Sequence, residues 1–302
     1  MNSTHARQSG SGVGQAALAL GAALLLSGLA GCGGGSGGGT VQAGNLPVAL
    51  RHLVAARTGV VSTRYLIFAP GQVVPPILGV TRFDNAVKRL EIKLDLRPFM
   101  SLYQPSLPPS SRVGKVRDWR FDVITDNSHS PVMYLSSPLF EEPSFQKKLP
   151  AHVRNKPWMK LDLVEALLQG GSVGQVTAFL PKGASPAGFV TALSGHATSE
   201  KGERIDGVET NRYAEQVNFR GHVKELPGFI QKVLAGSAPV MHALVWVDGS
   251  SNVRRIRLSS RPLRQLQGGV VTATMNFRDL GSKVNVDLPP KSEVFDAMQL
   301  PP

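Results

Sequence analysis

Cysteine is nearly absent: Cys32 is the single one in 302 residues. A lone cysteine excludes an intrachain disulfide, a CxxC zinc site and dithiol redox chemistry. The folded part must hold together by burial alone. Acidic residues are also scarce, 21 Asp and Glu against 33 Lys and Arg, for a formal charge of +12. Such a surplus suits anionic lipid headgroups or acidic envelope polymers. The cations are spread out and nowhere run longer than a pair, as at Lys88-Arg89, Lys147-Lys148 and Arg254-Arg255, so an ordinary solvated surface is equally open. Phosphate-binding and dinucleotide fingerprints are missing. Of the seven histidines, none forms an H-x-H or HExxH pair, which leaves no metal site to name.

What is present begins at the front. Residues 16–31, AALALGAALLLSGLAG, carry no charge and end in small residues. That length fits the apolar core of a signal peptide and falls short of a comfortable membrane span of roughly 20 residues. Leu29-Ala30-Gly31-Cys32 resembles the lipobox of bacterial lipoproteins. The resemblance implies cleavage before Cys32 and acylation of its sulfur and amino terminus. Residues 1–31 are then a signal peptide, and residues 32–45, with the run Gly33 to Gly39, a flexible tether. Residues 46–302 form the folded domain, exported and held at the outer face of the cell membrane. An exported chain rarely meets nucleic acid, so that partner is set aside.

Asn45 to Arg57 places Leu46, Leu50, Leu53 and Val54 at helical spacing, with Asn45 as N-cap and Gly59 as the stop. The period then changes to two. In RLEIKLDL, Leu90, Ile92, Leu94 and Leu96 alternate with charged residues, and in WRFDVITD, Trp119, Phe121 and Val123 do. Short strands follow at Ser130 to Ser137 and Pro157 to Leu163, then at Val208 to Phe219, Met241 to Asp248, Arg254 to Ser260 and Val271 to Leu280. Pro98 to Ser111 is rich in Pro and Ser and reads as a loop. Helices are expected at Ser185 to Gly195 and Leu226 to Gly236. Regular β-α-β alternation is lacking, so the pattern predicts an α+β domain: one long antiparallel sheet with a few helices on one side. Strands with one apolar face need a cover, and so few helices leave room for an apolar cavity, unless Trp158, Trp246 and the phenylalanines fill it.

Catalytic constellations do not assemble. Gly170-Gly171-Ser172-Val173-Gly174 matches G-x-S-x-G, but the flanks are not strand and then helix, as a nucleophile elbow requires. Asp126 to Ser130 reads as a turn, Glu141-Glu142 as a solvated loop, and His242 as a core or cavity histidine. No catalytic residue, metal ligand or cofactor is assigned.

Three segments, in order, carry a resemblance: Ser136 to Leu163 with W-x-K-x-D, Ile205 to Asn218 with D-G-V-x-T-x-x-Y, and Ala243 to Leu258 with V-W-V-D. With the lipobox and Ser185-Pro186 they resemble the LppX/LprG-type lipoproteins of the LolA-like superfamily. The resemblance implies a curved, half-open antiparallel sheet over helices, with an apolar pocket for the acyl chains of a lipid, lipoglycan or lipoprotein. An alternative is an envelope signalling or interaction lipoprotein of the same fold, with a filled core and a protein or cell-wall polymer as partner. Strand alternation and helix faces nominate Leu94, Phe121, Leu161, Phe189, Leu193, Val217, Phe219, Val245, Met275 and Phe277 as inward-facing cavity residues, the opposite parity remaining open for each strand.

Overall fold

The computed structural model describes residues 46–106, 115–147, 149–165, 193, 197–218, 240–263 and 267–297. The described part opens with helix α1 (Leu46–Ala55), which buries Leu46, Ala49, Leu50 and Leu53, a stripe at i, i+3, i+4 and i+7. Then come strands β1 (Thr58–Ala69), β2 (Gln72–Val73), β3 (Ile77–Asp84) and β4 (Arg89–Asp95), and helix α2 (Arg97–Tyr103). Strands β5 (Arg120–Asp126) and β6 (Val132–Ser136) precede the single turn α3 (Pro143–Gln146) and β7 (Trp158–Asp162). The rest is β8 (Thr198–Lys201), β9 (Thr210–Asn218), β10 (Val240–Asp248), β11 (Val253–Ser260), β12 (Val270–Arg278) and β13 (Val294–Asp296).

These strands form one 13-stranded sheet in the order β13-β7-β6-β5-β4-β3-β1-β12-β11-β10-β9-β8, with β2 paired to β1. Every pairing is antiparallel except the parallel β13–β7. Laid flat, twelve strands would span roughly 50 Å at their usual spacing, whereas α1 is only about 15 Å long. Yet one contiguous apolar cluster joins α1 to Val61 of β1, Phe83 of β3, Leu161 of β7, Val217 of β9 and Ile256 of β11. The sheet therefore curls around the helix, its two ends at β13 and β8 left unjoined. The expected α+β, curved, half-open architecture is present.

Several expectations are corrected. Gly59 does not stop the first helix; it lies inside β1, opposite Phe83. Strands β1 and β3 escaped the alternation rule because both faces carry apolar side chains: Val60, Leu66 and Phe68 alternate with Val61, Tyr65 and Ile67. Pro98 does not mark a loop: it sits in the first turn of α2, where a missing N–H is harmless. The hairpin after Asp248 turns through Gly249, Ser250 and Ser251, closed by the Asp248 N–H donating to the Asn252 carbonyl. Asp248 accepts from the backbone N–H of Ser250 and Asn252, and Ser251 rather than Gly249 takes a positive φ of 56°. Asp206 and Gly207 form a tight turn into β9, with φ values of 49° and 80°. The helices expected at 185–195 and 226–236, and Ser172, lie outside the described residues, Leu193 excepted.

Candidate functional site: the concave face of the sheet

Cross-strand register sets the site. One row of inward residues runs Tyr213, Val245, Ile256, Met275, Thr63, Gly79, Leu94 and Phe121, across eight strands from β9 to β5. On either side of its centre the row is apolar and deeply buried: Val245 is 1 % exposed, Ile256 0 % and Leu94 4 %. Its centre differs. Met275, Thr63 and Gly79 are only half-buried, as are Thr81, Tyr65 and Ala273 in the adjoining rows. Thr63, Gly79, Thr81 and Ala273, all small, thus sit beside Met275 and Tyr65 in the middle of an otherwise oily surface. A methyl group at Gly79 would meet nothing nearer than 3.7 Å.

That centre separates two apolar clusters along the strands. The larger holds α1, Val61, Phe83, Leu90 and Ile92, together with the inner residues of β9 to β12. The smaller holds Ile67, Ile77, Leu94, Leu96, Leu263 and, from α2, Met100, with Tyr65, Trp119 and Phe121 packed against it. Trp119 and Phe121 meet edge to face, with centroids 6.1 Å apart.

The nominated residues distribute accordingly. Leu161, Leu193, Val217, Val245 and Phe277 are buried in the larger cluster, and Met275 packs against it. Leu94 and Phe121 belong to the smaller one, so the eight described candidates line two separate ends of one face. Phe189 and Phe219 lie outside the described residues.

Parity corrects three others. Trp246 pairs with Arg212 and Arg255, and Trp158 with Ser136; both face outward, opposite in parity to Val245 and Leu161. Trp246 is nevertheless only 5 % exposed, with the Arg255 guanidinium over its ring at 5.6 Å from the centroid. His242 is no core histidine; it is exposed on the outer side of β10. Neither tryptophan fills the interior.

Sequence reasoning missed Thr63, Gly79 and Glu215. The signal for Glu215 was present in YAEQV, where Tyr213, Glu215 and Val217 share a face. The carboxylate of Glu215 stands inside, opposite Ala243, on the same surface as the buried Tyr213. Burial raises the Tyr213 phenol above its ordinary range, so it stays a neutral donor. Among the described residues no three His, Cys, Asp or Glu side chains converge as metal ligands, and no helix is long and apolar enough to cross a membrane. The face therefore offers apolar surface bordered by a hydroxyl and a carboxylate.

No protein family model and no curated protein matches the chain. Solved structures do resemble it. The lipoprotein LppX of Mycobacterium tuberculosis is 15 % identical, with a TM-score of 0.35, over 80 % of this chain and 96 % of its own. LprF from Mycobacterium bovis is 11 % identical, with a TM-score of 0.41, over 82 % and 99 %. A putative outer membrane lipoprotein-sorting protein domain from Vibrio parahaemolyticus is 10 % identical, with a TM-score of 0.24, over 78 % and 92 %. What the concave face can do follows from its own residues.

Proposed function

We propose that the protein is an envelope lipoprotein, anchored to the outer face of the membrane through acylated Cys32, that takes lipid acyl chains against the concave face of its sheet. One observation carries the reading. The inner row is apolar and buried at Val245, Ile256 and Leu94 but half-accessible at Met275, Thr63 and Gly79, where the last two side chains are small. A surface evolved only to pack would place large side chains there, because interiors close to near-crystalline density. Acyl chains laid in that trough leave water at about 0.8 kcal/mol per methylene. A long chain so gains on the order of 10 kcal/mol gross, part of which offsets its lost freedom. Tyr213 and Glu215 stand where a hydroxyl-bearing headgroup could be hydrogen-bonded. The Gly-rich tether keeps the domain near its membrane at high local concentration, a carrier's requirement. The function needs no catalytic group.

Native mass spectrometry of the chain purified from cells, followed by lipid extraction, tests the reading. Near-stoichiometric co-purifying lipid, displaceable by a fluorescent fatty acid, is the expected result. A lipid-free mass combined with no uptake of the acyl probe would overturn it and favour the envelope interaction role.

A further inference from the structure

The outer face of the sheet is unusual where β3, β1, β12 and β11 run side by side. Outward positions of an antiparallel sheet facing water are normally polar. Here Phe68 is 54 % exposed, Leu78 39 % and Val80 38 %, all on the outward parity of β1 and β3. On the β4 side the charges beside them are mixed, with Asp95 opposite Leu78 and Lys93 opposite Val80, whereas on the β1, β12 and β11 side they are basic. Outward positions of these four strands carry Arg64, Arg82, Arg255, Arg257 and Arg278, against Asp84 alone. Three of the five are engaged: Arg82 with Glu91, Arg255 with Glu203 and Asn276, and Arg278 with Ser62. Arg64 and Arg257 are exposed, and both flank Thr274 in one cross-strand row. The cross-strand neighbours of Arg64 are Thr274 and Leu78, and those of Arg257 are Thr274 and Leu244, so no carboxylate stands opposite either.

We propose that this outer face docks on an anionic lipid bilayer, with Phe68, Leu78 and Val80 entering the headgroup layer and Arg64 and Arg257 meeting lipid phosphates. Charge complementarity chooses the occupant: a +12 chain whose exposed apolar patch is bordered on one side by the exposed Arg64 and Arg257, with no carboxylate opposite either, fits an anionic surface. An interfacial apolar face bounded by cations is how peripheral proteins hold to membranes, each basic group near the surface contributing roughly a fivefold gain in partitioning. A face so docked would leave the concave side turned away from the bilayer. The inference stands on the outer face alone and does not depend on lipid binding inside.

The test uses the full chain with Cys32→Ser, so that an introduced cysteine is the only thiol. An environment-sensitive fluorophore is placed at Leu78→Cys, or at Arg51→Cys on the exposed side of α1 as control. Vesicles of phosphatidylcholine, alone or with one third phosphatidylglycerol, are added. A blue shift at position 78 on phosphatidylglycerol vesicles only, weakened by salt and absent at position 51, is expected. Arg64→Gln with Arg257→Gln should cut that partitioning by about thirtyfold without moving the unfolding midpoint. Three results would overturn the proposal: a probe at 78 that stays in water while the chain is vesicle-bound, an equal shift on phosphatidylcholine alone, or a shift that rises with protein concentration without vesicles, which would mark self-association.

Discussion

Gly59 of β1 lies directly under the ring of Phe83 on the neighbouring β3. A methyl group at position 59 would stand 2.7 Å from two carbons of that ring and 2.8 Å from a methyl of Leu280. Phe83 is 2 % exposed and belongs to the larger core cluster, so the ring has little room to retreat. Gly59→Ala should therefore destabilise the domain by about 1–3 kcal/mol, as overpacking does. Gly59→Ala combined with Phe83→Leu should recover part of that loss. Urea unfolding of the single and double variants checks both expectations.

Asp248 organises the β10–β11 hairpin. Its carboxylate is 3 % exposed and accepts from the N–H groups of Ser250 (2.9 Å) and Asn252 (2.8 Å) and from Arg254 Nε (2.7 Å). Burial alone would raise its pKa, but the hydrogen bonds from Asn252 and Arg254 and the Arg254 charge outweigh it and hold the group below the usual carboxylate range. A depressed folded pKa stabilises above the unfolded value of about 3.9 and loses that contribution as pH falls through the folded value. Asp248→Asn should lower stability by about 2–4 kcal/mol at neutral pH, and the gap to the parent should narrow below about pH 4. Thermal unfolding across that pH range measures it.

Asp122 should behave in the opposite sense. Burial on the outer face raises its pKa, with Lys93 opposing and Glu91 adding to the rise. A raised folded pKa favours the folded state at low pH, and that favour is lost as pH rises through the folded value. Asp122→Asn is therefore expected to stabilise the protein at neutral pH and to make no difference near pH 3. A variant no more stable than the parent at pH 7 would contradict the assignment.

Gly79 offers a direct probe of the trough. Its φ is not in the left-handed region, and the nearest atoms to an added Cβ are Leu94 Cδ1 and the Lys93 carbonyl oxygen, both at 3.7 Å. Gly79→Leu should fold, changing stability by about 1 kcal/mol or less, and should reduce uptake of a fluorescent fatty acid severalfold by filling the centre of the inner row. Leu102→Ala, on an exposed helix position at 47 % accessibility, should leave uptake unchanged.

Trp246 and Arg255 form a second pair worth measuring. Trp246→Ala should cost about 3–5 kcal/mol as a buried aromatic, whereas Arg255→Lys keeps the charge but loses the planar fork held by Asn276 and stacked on the indole. Its loss should fall nearer 1 kcal/mol. A double-mutant cycle in urea separates the stacking from the hydrogen bonds.

Strands whose outer face is polar were legible. RLEIKLD alternates strictly, and β4 occupies Arg89–Asp95 with Leu90, Ile92 and Leu94 buried, as read. Strands that are apolar on both faces were not. In TGVVSTRYLIFA the outward Val60, Leu66 and Phe68 hide the period, and the central strand of the sheet went unread. Of these, Phe68 also belongs to the proposed membrane-facing patch, beside Leu78 and Val80 of β3. Trp246 was misplaced for a related reason: size and apolarity suggested an interior residue, while it is buried on the outside, with a cation lying over its ring.

Alternation along each segment was enough to state that a mostly antiparallel sheet exists and which residues share a side with Leu94, Val245 or Phe277, because side chains of a strand point alternately to its two faces. It could not say that Met275, Thr63, Gly79 and Leu94 fall into one row, since register is set between segments distant in sequence. Nor could it say that the row's centre would stay half-open. That depends on how far the sheet curls and on which small residues meet when it does, and only the tertiary structure brings those residues side by side.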